Sequence, residues 1–120
     1  MDYGVVEIKA FVPSTDYALS KQFYMDLGFE MKSSSEELAY FACGNSSFLL
    51  QNFNTKGLAE NFVMHLLVES ADDWWSRLKN DKIAEKYSVH MGEPEDRPWR
   101  MRDFTVTDPS GVVWRIGNNI

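Results

Sequence analysis

Cysteine is almost missing from this chain: Cys43 is the only one in 120 residues. No internal disulfide can form, and a reducing, cytoplasmic setting is the simplest expectation. Long apolar runs are absent too, which excludes a membrane-spanning helix. Residues 1–15 lack a basic start followed by an apolar stretch, so no secretory signal is expected. Basic residues are in the minority, 12 against 18 acids, for a net charge of −6. That balance argues against nucleic acid as the main partner. No Ser/His/Asp or Cys/His spacing marks a nucleophile, no phosphate loop appears, and no segment is of low complexity. Cys43 reads as a small apolar residue, and His90 stands outside any motif as a surface residue.

What is present is a repeat. Lys9 stands seven residues before Asp16, and His65 stands seven before Asp72, a displacement of 56 for both pairs. Each pair marks a strand running into a helix start. A displacement near half the chain length predicts two copies of one supersecondary unit. Hydrophobic residues at 44% and charged residues at 25% fit one globular domain with a real core.

The pattern along the chain agrees. Val5 to Val12 alternates, with Val6, Ile8, Ala10 and Val12 on one face and Glu7, Lys9 and Phe11 on the other, which predicts a strand. Pro13-Ser14-Thr15-Asp16 breaks it and caps a helix bearing Leu19, Phe23 and Leu27, which Gly28 ends. Strands are predicted at Phe29 to Ser33, Leu38 to Cys43 and Phe48 to Phe53, the last two around the turn Gly44-Asn45-Ser46. In the second half Phe62 to Val68 alternates, and Ser70-Ala71-Asp72-Asp73 resembles a capping box. Trp74, Trp75 and Leu78 give a helical apolar stripe. Ile83 to Met91 is ambiguous, with a short strand near Tyr87 to His90. Gly92 to Pro98 reads as a loop. Met101 to Thr107 and Val112 to Ile116 read as strands around the turn Asp108-Pro109-Ser110-Gly111. The prediction is an α+β domain spanning 1–120, built of two β-α-β-β-β modules at about 1–56 and 57–120.

Three motifs carry a resemblance. Phe23-Tyr24-Met25-Asp26-Leu27-Gly28-Phe29 resembles the Phe-Tyr…Leu-Gly-Phe signature of the vicinal oxygen chelate superfamily, which includes glyoxalase I, extradiol dioxygenases and bleomycin-resistance proteins. Pro98 to Phe104 resembles the Pro-Trp-Gly-x-Arg-x-Phe segment of the bleomycin-resistance-like branch, with Arg100 in place of the usual Gly. Asp108-Pro109-Ser110-Gly111 resembles the branch's closing Asp-Pro-x-Gly. The match spans nearly the whole chain. It implies two modules whose sheets form an open half-barrel cleft, and a homodimer.

Enzymes of this superfamily usually hold one divalent metal through His and Glu. Carried over residue by residue, the four positions fall on Lys9, on Leu49 or Gln51, on His65 and on Arg115. Lysine and arginine have no lone pair to give, and leucine has no donor, which leaves His65 as one good ligand of four, or two with Gln51. The metal site therefore reads as lost, and no cofactor is expected. The expected function is metal-free binding of a small molecule, a drug or metabolite, in a cleft lined by Lys9, Phe11, Tyr40, Gln51, His65, Trp99 and Arg115. Lys9 and Arg115 either hold an anionic group or pair with Glu7 or another acid. The negative net charge suits a basic drug, whereas these two cations suit an acidic or zwitterionic guest. Two rivals stand beside this reading: a lyase or isomerase using His65 or Glu7 in acid–base work, and an interaction module that regulates a partner.

Overall fold

The computed structural model describes residues 1–120. Two four-stranded sheets dominate it. The first contains β1 (Phe11–Pro13), β2 (Glu30–Ser34), β3 (Leu38–Cys43) and β4 (Ser46–Gln51), in the order β1-β4-β3-β2. The second contains β5 (Val63–Leu67), β6 (Glu95–Arg97), β7 (Met101–Thr107) and β8 (Val113–Asn119), in the order β5-β8-β7-β6. Helix α1 (Tyr17–Leu27) follows β1; α2 (Ala71–Asn80) and α3 (Ile83–Tyr87) follow β5. In both sheets the first strand runs parallel to the fourth and the other pairs are antiparallel. This is the expected α+β architecture of two repeated units. No helix is long and apolar enough to cross a membrane.

Local chemistry sets the helix ends. The Asp16 side chain caps α1 by accepting from the Leu19 N–H, and the Ser70 hydroxyl caps α2 by accepting from the Asp73 N–H. Gly28 ends α1 at φ 125°, with its N–H reaching the Tyr24 and Met25 carbonyls. A side chain at Gly28 would also press on Arg77, whose guanidinium holds the Leu27 and Asp26 carbonyls from α2.

Four sequence expectations need correction. The strand predicted from Val5 is formed only at Phe11–Pro13. Val12 is buried, but Val6 and Ile8 are 95% and 92% exposed, and the strand pairing with β4 begins only at Phe11. The buried face of α1 is Ser20, Phe23, Tyr24 and Leu27, with Leu19 outside it. The short strand expected near Tyr87 to His90 does not form, and residues 83–87 are helical; Ile83 and Tyr87 are buried, and Tyr87 and Lys86 both bond Asp26 of α1. Finally, β6 lies where a loop was expected. Its residues are polar, and cross-strand pairs from Asp96 to Arg102 and from Arg97 to Asp103 hold it.

One apolar core of 20 buried residues runs through both sheets and the helices. Its centre is a ring cluster in which Tyr24 and Trp114 both pack on Phe29 and Phe48. A buried polar chain threads it. The Trp114 indole donates to the Tyr24 hydroxyl at 2.9 Å, and that hydroxyl donates to Asp108 Oδ2 at 2.5 Å. Asp108 Oδ1 also accepts from the Ser110 and Val112 N–H groups, closing the turn before β8. Burial pushes the Asp108 carboxyl above its usual range, and its hydrogen bonds oppose that rise.

Candidate functional site

Each sheet buries one face in the core and leaves the other open. On the first sheet Val12, Leu50, Ala39 and Phe41 face inward, while Phe11, Leu49 and Tyr40 form a row across β1, β4 and β3 on the open side. On the second sheet Leu66, Ile116 and Phe104 face inward, and the matching open row is His65, Arg115 and Thr105.

This ladder corrects the register of the repeat. Val12 pairs with Leu50 as Leu66 pairs with Ile116, and α1 is capped by Asp16 as α2 is capped by Ser70. From Val12 to Leu66 and from Asp16 to Ser70 the displacement is 54 positions, two fewer than the Asp-based reading, and from Leu50 to Ile116 it is 66. Asp72 lies inside α2 and is not its cap. His65 therefore matches Phe11, and the counterpart of Lys9 is Val63. Likewise Arg115 matches Leu49, while Gln51 matches Gly117.

The two basic residues are each held by a local acid. Lys9 Nζ lies 2.6 Å from Glu7 Oε1 and over the Tyr40 ring. The Tyr40 and Ser47 hydroxyls also donate to Glu7. The Lys9 ammonium, then the Ser47 hydroxyl, hold the Glu7 carboxyl below its usual range. Arg115 Nη1 contacts both oxygens of Asp103, at 3.2 and 3.0 Å, and the guanidinium lies 5.6 Å from the Trp99 ring centroid. Thus Lys9, Tyr40 and Phe11 gather on one sheet, Arg115, Trp99 and His65 on the other, and no contact joins Lys9 to Arg115. Gln51 sits one row beyond Leu49, beside Leu38 and Pro13.

A cavity of about 430 Å³ opens between the sheets, where the N-terminal arm approaches β5. Glu7, Ser47 and His65 line it, over a floor of Phe29, Phe48 and Trp114. Of the residues expected in the site, His65 alone lines this cavity. Sequence reasoning missed Asp103, Arg97 and Ser47. Asp103 carried a signal: an acid at the centre of an otherwise strand-like segment.

Arg100 keeps the backbone turn that its motif implies. Its φ is 65°, the left-handed region that a glycine enters freely, and its N–H and C=O bond Arg97 and Ile120.

The sequence profile of the glyoxalase/bleomycin resistance protein/dioxygenase superfamily matches residues 6–116. The chain belongs to this superfamily. Solved structures agree on the fold. A bleomycin-binding protein complexed with bleomycin superposes with a TM-score of 0.82 at 21% identity, covering 97% of this chain and 100% of the other. A bleomycin resistance determinant encoded on the transposon Tn5 gives 0.79 at 18% identity, covering 96% and 98%. TnmS3, an antibiotic-binding protein from a Streptomyces species, gives 0.77 at 19% identity, covering 98% of each chain. A search of curated protein sequences finds no match.

The superfamily's divalent metal does not fit the residues present. On the corrected register the four positions hold Lys9, Leu49, Val63 and Arg115, none of which can donate a lone pair. No group of three or more His, Cys, Asp or Glu side chains gathers anywhere in the fold. Glu7 and Asp103 are the nearby carboxylates, and each is already engaged by a cation. Even at an effective dielectric of ~20, a unit positive pair at ~4 Å costs about 4 kcal/mol.

The open face of the second sheet depends on Gly117. A Cβ there would lie 2.6 Å from Asp103 Cβ and 2.9 Å from the Arg102 carbonyl oxygen. Gly117→Ala is expected to lower stability by about 1–3 kcal/mol through overpacking. Urea unfolding checks it, and an unchanged midpoint would show that β7 and β8 have room to spare.

Proposed function

We propose that this protein binds a small organic molecule on the open faces of its two sheets and sequesters it without a metal. The observation that carries this reading is the chemistry of the four ligand positions, which hold two cations and two aliphatic side chains. Binding requires concavity, ring surface and a few placed polar groups, and no covalent step. Phe11, Tyr40 and Trp99 supply the rings; Lys9, His65 and Arg115 supply the polar groups. Neighbours of the same fold are described as binding bleomycin or an antibiotic, which supports a drug or metabolite as the guest. The protein acts in the cytoplasm as a homodimer. Val6 and Ile8 of the N-terminal arm are exposed apolar residues, and a second copy would cover them.

A second reading, acid–base catalysis by Glu7 and His65, draws on their shared cavity. Glu7 opposes it. Lys9 and Ser47 stabilise its carboxylate, which makes it a poor proton acceptor near neutral pH.

The test joins metal analysis to a thermal-shift screen. Purified protein should hold no stoichiometric Ni²⁺, Zn²⁺ or Mn²⁺, and adding these ions should leave the melting temperature unchanged. At least one organic compound from a panel of metabolites and antibiotics should raise it, since a ligand specific for the folded state stabilises that state. Sedimentation of the same sample should show a dimer. Tight one-to-one metal would overturn the metal-free reading.

A further inference from the structure

The second sheet holds a device that the first lacks. Asp103 of β7 is 1% exposed and receives two guanidinium groups at once: Arg97 Nε at 2.8 Å and Arg115 Nη1 at 3.0 Å. Gly117 stands opposite it in the ladder and leaves the space it needs. The equivalent pair on the first sheet is Leu38 and Gln51, so no such anchor can form there.

Two cations share the one buried carboxylate, and a second acid sits on the Arg97 side only. Glu95 lies 3.5 Å from Arg97 Nη1, on the solvent side, and takes nothing from Arg115. Arg115 commits a single nitrogen to Asp103. Its Nε and Nη2 groups have no protein partner, and its guanidinium is flanked by Trp99, which is 55% exposed. The group is fixed at one corner by a buried acid, with the rest of its fork unclaimed. A free guanidinium edge matches a carboxylate through two parallel hydrogen bonds. Fixing the fork beforehand reduces the ordering cost of that contact. The adjacent indole offers flat apolar surface to whatever bears the carboxylate.

We propose that Arg115, positioned by Asp103 and flanked by Trp99, is the recognition point for an aromatic carboxylate, so that the guest of this protein is an organic acid; the proposal rests on reading the open faces as the ligand-binding surface. Asp103 is a positioning residue and touches no ligand.

Three matched probes test it: benzoate, benzamide and benzylamine, titrated against the full chain while the tryptophan indole N–H signals are followed by NMR. Benzoate should shift the Trp99 signal, identified with Trp99→Phe, and bind at least about tenfold more tightly than benzamide. Arg115→Gln should weaken benzoate about tenfold or more, the usual scale for losing hydrogen bonds to a charged group, and leave benzamide unchanged. If that variant fails to fold, Arg115→Lys decides: it keeps the charge, removes the fork, and should still weaken benzoate selectively. Equal binding of benzoate and benzamide, or undiminished benzoate binding by the variant that folds, would overturn the assignment. Preference for benzylamine would overturn it too, while leaving the broader binding function intact. A wide compound screen without a single binder would remove both.

Discussion

Trp114→Ala should lower the unfolding free energy by about 3–5 kcal/mol, the range for truncating a large buried aromatic side chain. Trp114 is almost wholly buried and packs on Tyr24, Phe29 and Phe48, which come from α1, the segment after it, and β4. It is the one ring of the second sheet in that cluster, so its loss opens a void where the two repeated units meet. The indole also donates to the Tyr24 hydroxyl. Trp114→Phe keeps much of the ring and removes the donor, and should cost less. Thermal unfolding checks both variants; for a chain of this size the alanine change is expected to lower Tm by roughly 10–20 °C. A shift of only a few degrees would mean that the two halves are held together elsewhere.

Asp108→Ala is expected to cost about 3 kcal/mol or more, because it leaves a hydroxyl and two N–H groups without their acceptor in a buried site. The three donors are Tyr24, Ser110 and Val112. Asp108→Asn retains an acceptor for the backbone donors and should cost distinctly less. The two variants also differ in pH dependence. Burial raises the Asp108 carboxyl pKa in the folded state. Its contribution is therefore greatest below the ordinary carboxylate range and declines as pH rises through the raised value. Asparagine at this position has no proton to lose, so that decline should vanish from its stability curve. An identical pH profile in the two proteins would show that Asp108 titrates normally.

Much of the fold was legible because its signals are local. Asp16, Gly28 and Ser70 act at helix ends through their own backbone neighbours, and Leu38 to Cys43 alternates cleanly around a tight turn. What the sequence hid depends on partners far along the chain. The β6 strand has little strand character and exists through pairing with β7. Val6 and Ile8 alternate like a buried strand, yet nothing in a single chain covers them. The repeat itself was visible, but its register was not. Asp72 imitates Asp16 in spacing, whereas the hydroxyl of Ser70 performs the capping. That two-residue error put His65 where Val63 stands, and gave the lost metal site one donor too many. Lys9 and Arg115 were found as the cations on the open faces. Their acids differ in visibility: Glu7 is two positions from Lys9, but Asp103 meets Arg115 only through the ladder between β7 and β8.

The matched rows Phe11–Leu49–Tyr40 and His65–Arg115–Thr105 rest on the same strand geometry and carry unlike chemistry. A duplicated frame with identical fittings would accept a guest either way round. Here one row offers hydrocarbon and rings, and the other an imidazole, a tethered guanidinium and a hydroxyl. On the proposed reading, a molecule spanning both would have a head and a tail: only one of its two orientations would place its ionic end against Arg115.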